Sequence, residues 1–326
     1  HPFCARVLGN LAGLYWSRRD LAKAAEFQRK YLAVRERNLD LNLFTGSERQ
    51  KLAYMETLSR DVDSALSMQS SLSASSRELK EISFKLILSR KGRTLDAMAG
   101  SISALRTRAR PADRELIDRL VDARTRLAAL TLRGAANDKP EAYSKKLQEV
   151  GEQREKLEDE LSRRSAEFRV QTQPLTIDAV QGLIPENGAL IEFVVYKPVK
   201  SGAPDESPSS DAARYAAYVT RRSGSIESVD LGGSKVIDDS ISDLRLGLGD
   251  PRNKNVDELA RDLDEEVMKP VRAYLGTARH LMISPDGALN LVPFEALVDD
   301  RNKYLVEQFS VSYLTRGRDL LRMGVA

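Results

Sequence analysis

The feature that most restricts how this chain can fold is a change of hydrophobic period near residue 173. Before it, apolar residues recur at intervals of three and four over more than a hundred positions. After it come short apolar or alternating runs separated by Gly, Pro and Ser. Strands mixed with helices after a purely helical half imply an all-α N-terminal half followed by an α/β unit. Composition agrees, because 41 % apolar and 30 % charged residues suit solvent-exposed helices better than one large core, and 6 % aromatics argue against a β-sandwich.

Residues 1–38 read as a helical hairpin. Leu8, Leu11, Ala12 and Tyr15 mark one face, Asp20 the turn, and Leu21, Ala24, Phe27 and Tyr31 the second face. Residues 39–172 read as a helical connector. Ser47 to Gln50 has the form of a capping box, with Leu52, Met55, Leu58, Val62, Leu66 and Met68 behind it. Further helices are expected over 75–88, ended by Gly92, and over 94–108. Another runs from Pro111 to Gly134 with a stripe of Leu116, Leu120, Ala123, Leu127 and Leu130. From Tyr143 a heptad seam continues through Leu147, Val150, Arg154, Leu157, Leu161, Arg164 and Phe168. Two arginines in that seam favour an intramolecular hairpin or bundle over a dimer zipper, because each buried charge costs desolvation energy.

In residues 173–326 a short helix is expected at Ile177, Val180 and Leu183, then a buried strand at 189–196 with one interior acid, Glu192. Residues 197–213 read as an exposed loop. Strands at 214–222 and 226–231 form a hairpin turning at Ser223-Gly224, and helices follow at 236–246 and 256–275. A strand starts at His280. Pro285-Asp286-Gly287, between two apolar runs, reads as the turn of a core hairpin, and Thr315 as the cap of a helix over 316–321.

Several stretches together resemble a CHAT domain, a caspase-related cysteine-peptidase family usually found behind tetratricopeptide repeats. They are SERQKLAY from Ser47, RKGRTLDA from Arg90, RYAAYV from Arg214, VDLG from Val229, ID from Ile237, SPDGALNLVPFEAL from Ser284 and SYLTRGRDLL from Ser312. The hairpin at 1–38 similarly resembles one tetratricopeptide repeat, the last of an array, although Tyr31 stands where that family places a small residue. The resemblance implies a front, non-catalytic half of a CHAT domain over 173–326. It further implies that the full-length protein is a cysteine endopeptidase regulated through protein contacts of its repeats.

In that family the dyad lies in His-Gly and Ser-Ala-Cys contexts. Neither is present here. Cys4 lies on the repeat hairpin, His1 is terminal, and His280 precedes a leucine. A Cys4–His280 dyad is not expected, because the two fall in separate segments, so no catalytic residue is assigned and the chain alone is expected to be inactive. The alternative is a non-enzymatic scaffold that binds protein or peptide partners through its helices. Strands meant to pair with an absent half would leave an open edge, which favours aggregation or self-pairing.

Other chemistries lack their residues. No phosphate loop or nucleophile elbow occurs, and two histidines with one cysteine cannot close a zinc site, so no cofactor or metal is expected. The acids Asp257, Glu258, Asp262, Asp264, Glu265 and Glu266 read as a solvated helix face. Arg77 to Arg133 carries twice as many basic as acidic residues, Arg106, Arg108 and Arg110 among them. Without interleaved aromatics this too reads as a solvated face, and no nucleic-acid partner is expected. Asp286 reads as a turn residue capping amides, or functionally as a neighbour of the peptidase cleft. One cysteine fits a reducing cytosol, and no apolar run is long enough to span a membrane.

Overall fold

The computed structural model describes residues 2–44, 48–71, 76–91, 111–134, 140–164, 175–200 and 213–323. Expectations for Ser47, for 94–108 with Arg106, Arg108 and Arg110, for Phe168 and for most of the 197–213 loop lie outside them.

Helices α1 (Pro2–Ser17) and α2 (Leu21–Phe44) form the first hairpin. Asp20 turns the chain there and accepts from the Lys23 amide at 3.2 Å. Ala12 and Ala24 are fully buried between the helices, as small residues at a close crossing must be. Tyr31 fits because Gly9 faces it, with the tyrosine ring 3.4 Å from where a Cβ would stand. Trp16, absent from the expected face, is buried and donates from Nε1 to Ser71 Oγ at 2.7 Å.

Helices α3 (Glu48–Ser70) and α4 (Arg77–Arg90) follow. Ser76 caps α4 by accepting from Leu79 N, and Glu78 and Arg90 complement its dipole at the two ends. Helices α5 (Pro111–Arg133) and α6 (Pro140–Arg164) pack on each other as an intramolecular hairpin around Leu116, Leu120, Ala123, Leu157 and Leu161. The seam tolerates Arg154 because it is only half-buried and pairs with Glu155 and Glu158, the latter also held by Arg124 at 2.6 Å. Gly134 ends α5 at φ +67°, the left-handed region that glycine enters without penalty.

The short helix α7 (Ile177–Gln181), capped by Thr176, leads into a five-stranded mixed sheet. Its strands are β1 (Gly188–Tyr196), β2 (Arg214–Arg221), β3 (Glu227–Gly233), β4 (His280–Ser284) and β5 (Ser310–Tyr313), in the order β3-β2-β1-β4-β5. The β2–β3 pair is the expected hairpin, with Gly224 at φ +106° in its turn. β1 pairs antiparallel with β2 and parallel with β4, and β4 pairs parallel with β5.

Both faces of β1 are covered, which explains its continuous apolar run. Ala189, Ile191 and Phe193 join a core beneath α8 (Ser234–Gly249) and α9 (Val256–Val267). Leu190 and Val194 join a core with Leu66 of α3 and with Phe84, Ile87 and Leu88 of α4. The connector helices α3 and α4 thus lie directly on the sheet. Tyr218 donates to Gln69 Oε1 at 2.7 Å, and Lys80 to Glu227 Oε2 at 2.8 Å.

Three expectations are corrected. The helix expected over 256–275 breaks at Met268, because Pro270 has no amide to donate and crowds the preceding turn; a separate one-turn helix, Lys269–Arg272, follows. Pro285-Asp286-Gly287 is not a hairpin turn: β4 and β5 run parallel, and parallel strands need a long crossover. That crossover is made of 3₁₀ turns at Gly287–Leu291 and Phe294–Ala296 and a one-turn helix at Leu305–Gln308, which bury Leu289, Phe294, Leu297 and Leu305. Thr315 caps no helix. A 3₁₀ turn, Gly317–Asp319, begins two residues later and runs into a one-turn α-helix, Leu320–Met323, so helix does form there, entered through Arg316, whose Nε pairs with Asp319 at 3.0 Å.

Candidate functional site

Open α/β sheets ordinarily bind ligands beyond the carboxyl ends of their parallel strands. Here that place is where the parallel pairing of β1 with β4 ends, at Glu192 and Ser284, and two side-chain clamps fill it, one on each face of the sheet.

On the α8 face, Asp286 stands two residues past the end of β4. Its Oδ2 accepts from the Val195 amide at 2.9 Å and its Oδ1 from the Gly287 amide at 3.0 Å. Beside it Tyr215 of β2 donates to Asp238 Oδ1 at 2.8 Å and accepts from the Ala288 amide at 2.9 Å. Burial, with the Asp238 carboxylate adding to it, holds the Tyr215 phenol above its ordinary range, so it remains a donor at physiological pH. Gly287 has φ +55°, and a Cβ there would lie 2.6 Å from Tyr215 Oη. No side chain fits. The carboxylate of Asp286 therefore caps amides as expected, but in a crossover entry.

On the α4 face, Glu192 sits mid-strand with no exposed surface. Lys91, the residue closing α4, points its three N–H donors at four oxygens: Glu192 Oε2 at 2.9 Å, Phe193 O at 2.9 Å, Ser284 O at 2.8 Å and Ser284 Oγ at 2.7 Å. The other Glu192 oxygen accepts from the Gly317 amide. Burying two charges costs several kcal/mol each, and an ion pair tolerates this only when its remaining donors and acceptors are also satisfied. This cluster meets that condition.

A lysine 2.7 Å from a serine hydroxyl has the outline of a base and nucleophile. The surroundings rule it out. The Lys91 ammonium is committed to a carboxylate and three further oxygens, and Ser284 is completely buried, so no substrate reaches its Oγ.

The remaining residues singled out in the sequence stand apart. Cys4 is exposed on α1, and His280 opens β4 with Nε2 2.9 Å from Ser312 Oγ. Among the described residues no hydrogen bond joins them. Most of the acidic face on α9 is solvated, but Asp264 is buried and forms a two-pronged pair with Arg272 at 2.5 and 2.6 Å. No cluster of three His, Cys, Asp or Glu side chains able to hold a metal occurs among the described residues. No described helix is long and apolar enough to cross a membrane. An open groove of about 650 Å³ runs beside β5, floored by Leu291, Val292 and Pro293 and carrying Arg245 and Glu295.

The segment from α9 through β4, its crossover and β5 is similar to a known family. Residues 257–326 match the CHAT domain family. The match points to a caspase-like peptidase family for this part of the chain. No curated protein matches the chain. The CHAT match starts inside α9, so β1, β2, β3 and α8 precede it, yet they complete the sheet to which the CHAT strands belong.

Lys91, Glu192, Ser284, Gly317, Tyr215 and Asp238 were not assigned roles by sequence reasoning. Their signal was nevertheless present. Glu192 is a lone acid in an apolar strand, which requires a buried partner. The other five sit inside the stretches that carry the CHAT resemblance.

Proposed function

We propose that this chain is the supporting part of a caspase-like cysteine peptidase of the repeat–CHAT type, and that by itself it cleaves nothing. One observation carries the reading. Where the parallel pairing of β1 with β4 ends, and such a sheet would hold reacting groups, the CHAT-like stretches place bracing side chains. A cysteine peptidase needs a thiolate with an imidazole in reach, and the single cysteine stands exposed on α1. On this reading the helical hairpins receive a protein signal, and the sheet supports a catalytic half that bears the His-Gly and Ser-Ala-Cys segments. The compartment is a reducing cytosol.

The test is incubation of the purified chain with fluorogenic casein, alongside the Cys4→Ala variant. The expected result is no hydrolysis above buffer by either. Cleavage lost in Cys4→Ala would overturn the proposal.

A second reading, a scaffold without enzymatic activity, is favoured by the apolar stripe of Phe3, Val7 and Leu14 exposed on α1. Reading the gene beyond the codon for Ala326 separates the two. His-Gly and Ser-Ala-Cys segments there support the peptidase, and a stop codon supports the scaffold.

A further inference from the structure

We infer that Arg90-Lys91 is a mechanical joint that couples the position of the N-terminal helices to the segment following β5. The two residues are adjacent at the end of α4, and their side chains are tied in opposite directions.

Arg90 is tied toward the helical hairpins. Its guanidinium, 5 % exposed, stands 3.7 Å from Asp61 of α3 and 3.3 Å from Glu36 of α2. Asp61 is the shared acceptor of that interface, taking the Tyr31 hydroxyl at 2.5 Å and Arg35 Nε at 3.0 Å, both from α2. Lys91 is tied toward the sheet through Glu192 and Ser284. Glu192 in turn holds the Gly317 amide, and Ser284 Oγ lies 3.3 Å from the Thr315 carbonyl.

The far end of this chain of contacts is packed too closely to move independently. A Cβ on Gly317 would lie 2.6 Å from Leu190 Cδ2 and 2.9 Å from Leu88 Cδ2, so the backbone at 317 rests directly on β1 and on α4. Leu314, Leu320 and Leu321 share a core with Phe84, Ile87 and Leu88 of α4. A shift of α4 that withdraws Lys91 strands a buried carboxylate and opens the seat of Gly317 in one event. The two ends differ in stiffness. The three N–H donors of Lys91 are shared among four oxygens within 2.9 Å of its Nζ, whereas the ion pairs of Arg90 lack hydrogen-bond geometry. Motion of α2 and α3 therefore strains the Arg90 side first and reaches residues 314–323 through Lys91. This coupling holds whether the protein is a peptidase or a scaffold.

The experiment is hydrogen–deuterium exchange on the full chain, comparing Lys91→Met, Arg90→Met and the neutral pair Lys91→Met/Glu192→Gln with the parent. Lys91→Met should accelerate exchange over 314–323 and the last turn of α4 on the order of tenfold or more. Arg90→Met, whose guanidinium is tied to α2 and α3 and not to that segment, should accelerate the same residues about threefold. The double variant keeps an acceptor for Gly317 and relieves the stranded charge, so it gives the readout if Lys91→Met fails to fold. Unchanged exchange over 314–323 in Arg90→Met, with α4 still protected, would overturn the coupling. So would acceleration spread equally over β2 and β3, which would mark general destabilisation.

Discussion

Glu192 and Gly317 show how single residues set this architecture. A carboxylate in the middle of a doubly covered strand persists because Lys91 and the Gly317 amide between them engage both of its oxygens. Gly317→Ala puts a methyl 2.6 Å from Glu192 Oε1 and from Leu190 Cδ2. The expected cost is about 1–3 kcal/mol, as for other overpacked core sites, read as a lowered urea midpoint. Lys80–Glu227 ties α4 to the β3 edge, and the Lys80 hydrogen bond, with Ser225 helping, holds the Glu227 carboxyl below its ordinary value of 4.5. A depressed carboxyl stabilises the fold fully above pH 4.5 and loses that contribution as pH falls through its folded-state value. Lys80→Met should therefore cost about 1 kcal/mol at pH 7. Its urea midpoint should converge on the parent's as the pH is taken below 4.5.

At the scale of elements, α5 and α6 form a hairpin with its own small core, whereas α3 and α4 share theirs with the sheet. Leu120→Ala removes a fully buried side chain from the α5–α6 core and should destabilise it by about 2–5 kcal/mol. Exchange protection should fall in 111–134 and 140–164 and stay unchanged in β1 and β4. At the other extreme, β5 is the end strand of the sheet among the described residues, and its first residue, Ser310, is exposed. An uncovered end strand pairs with other chains unless it is charged. The protein should self-associate with rising concentration in light scattering, and Ser310→Lys should suppress this without lowering thermal stability by more than about 0.5 kcal/mol.

Over the whole molecule, the two-part organisation and the β2–β3 hairpin were legible because long helical periods and glycine turns are local signals. The parallel pairing of β4 with β5 was not. Apolar runs as short as Leu281–Ile283 and Val311–Tyr313 carry no mark of their partner, and Pro285-Asp286-Gly287 suits a hairpin turn as well as a crossover entry. The clamps were half legible. Asp286 announces an amide cap by its place before glycine. The pairing of Lys91 with Glu192 joins positions a hundred residues apart, which no local pattern encodes. The same limit explains why the CHAT-like stretches could be recognised without their roles: Tyr215, Asp238 and Ala288 act only when three separate elements meet.

On the proposed reading these residues brace the sheet and Cys4 has no base to activate it. The rate at which iodoacetamide alkylates Cys4 in the folded chain, set against an unstructured cysteine peptide, measures this directly. A rate within a few-fold of the peptide, unchanged by His280→Ala, is expected for an exposed thiol without a hydrogen-bonded base. A rate on the order of a hundredfold faster that collapses in His280→Ala would show a thiol activated by that imidazole and overturn the proposed function.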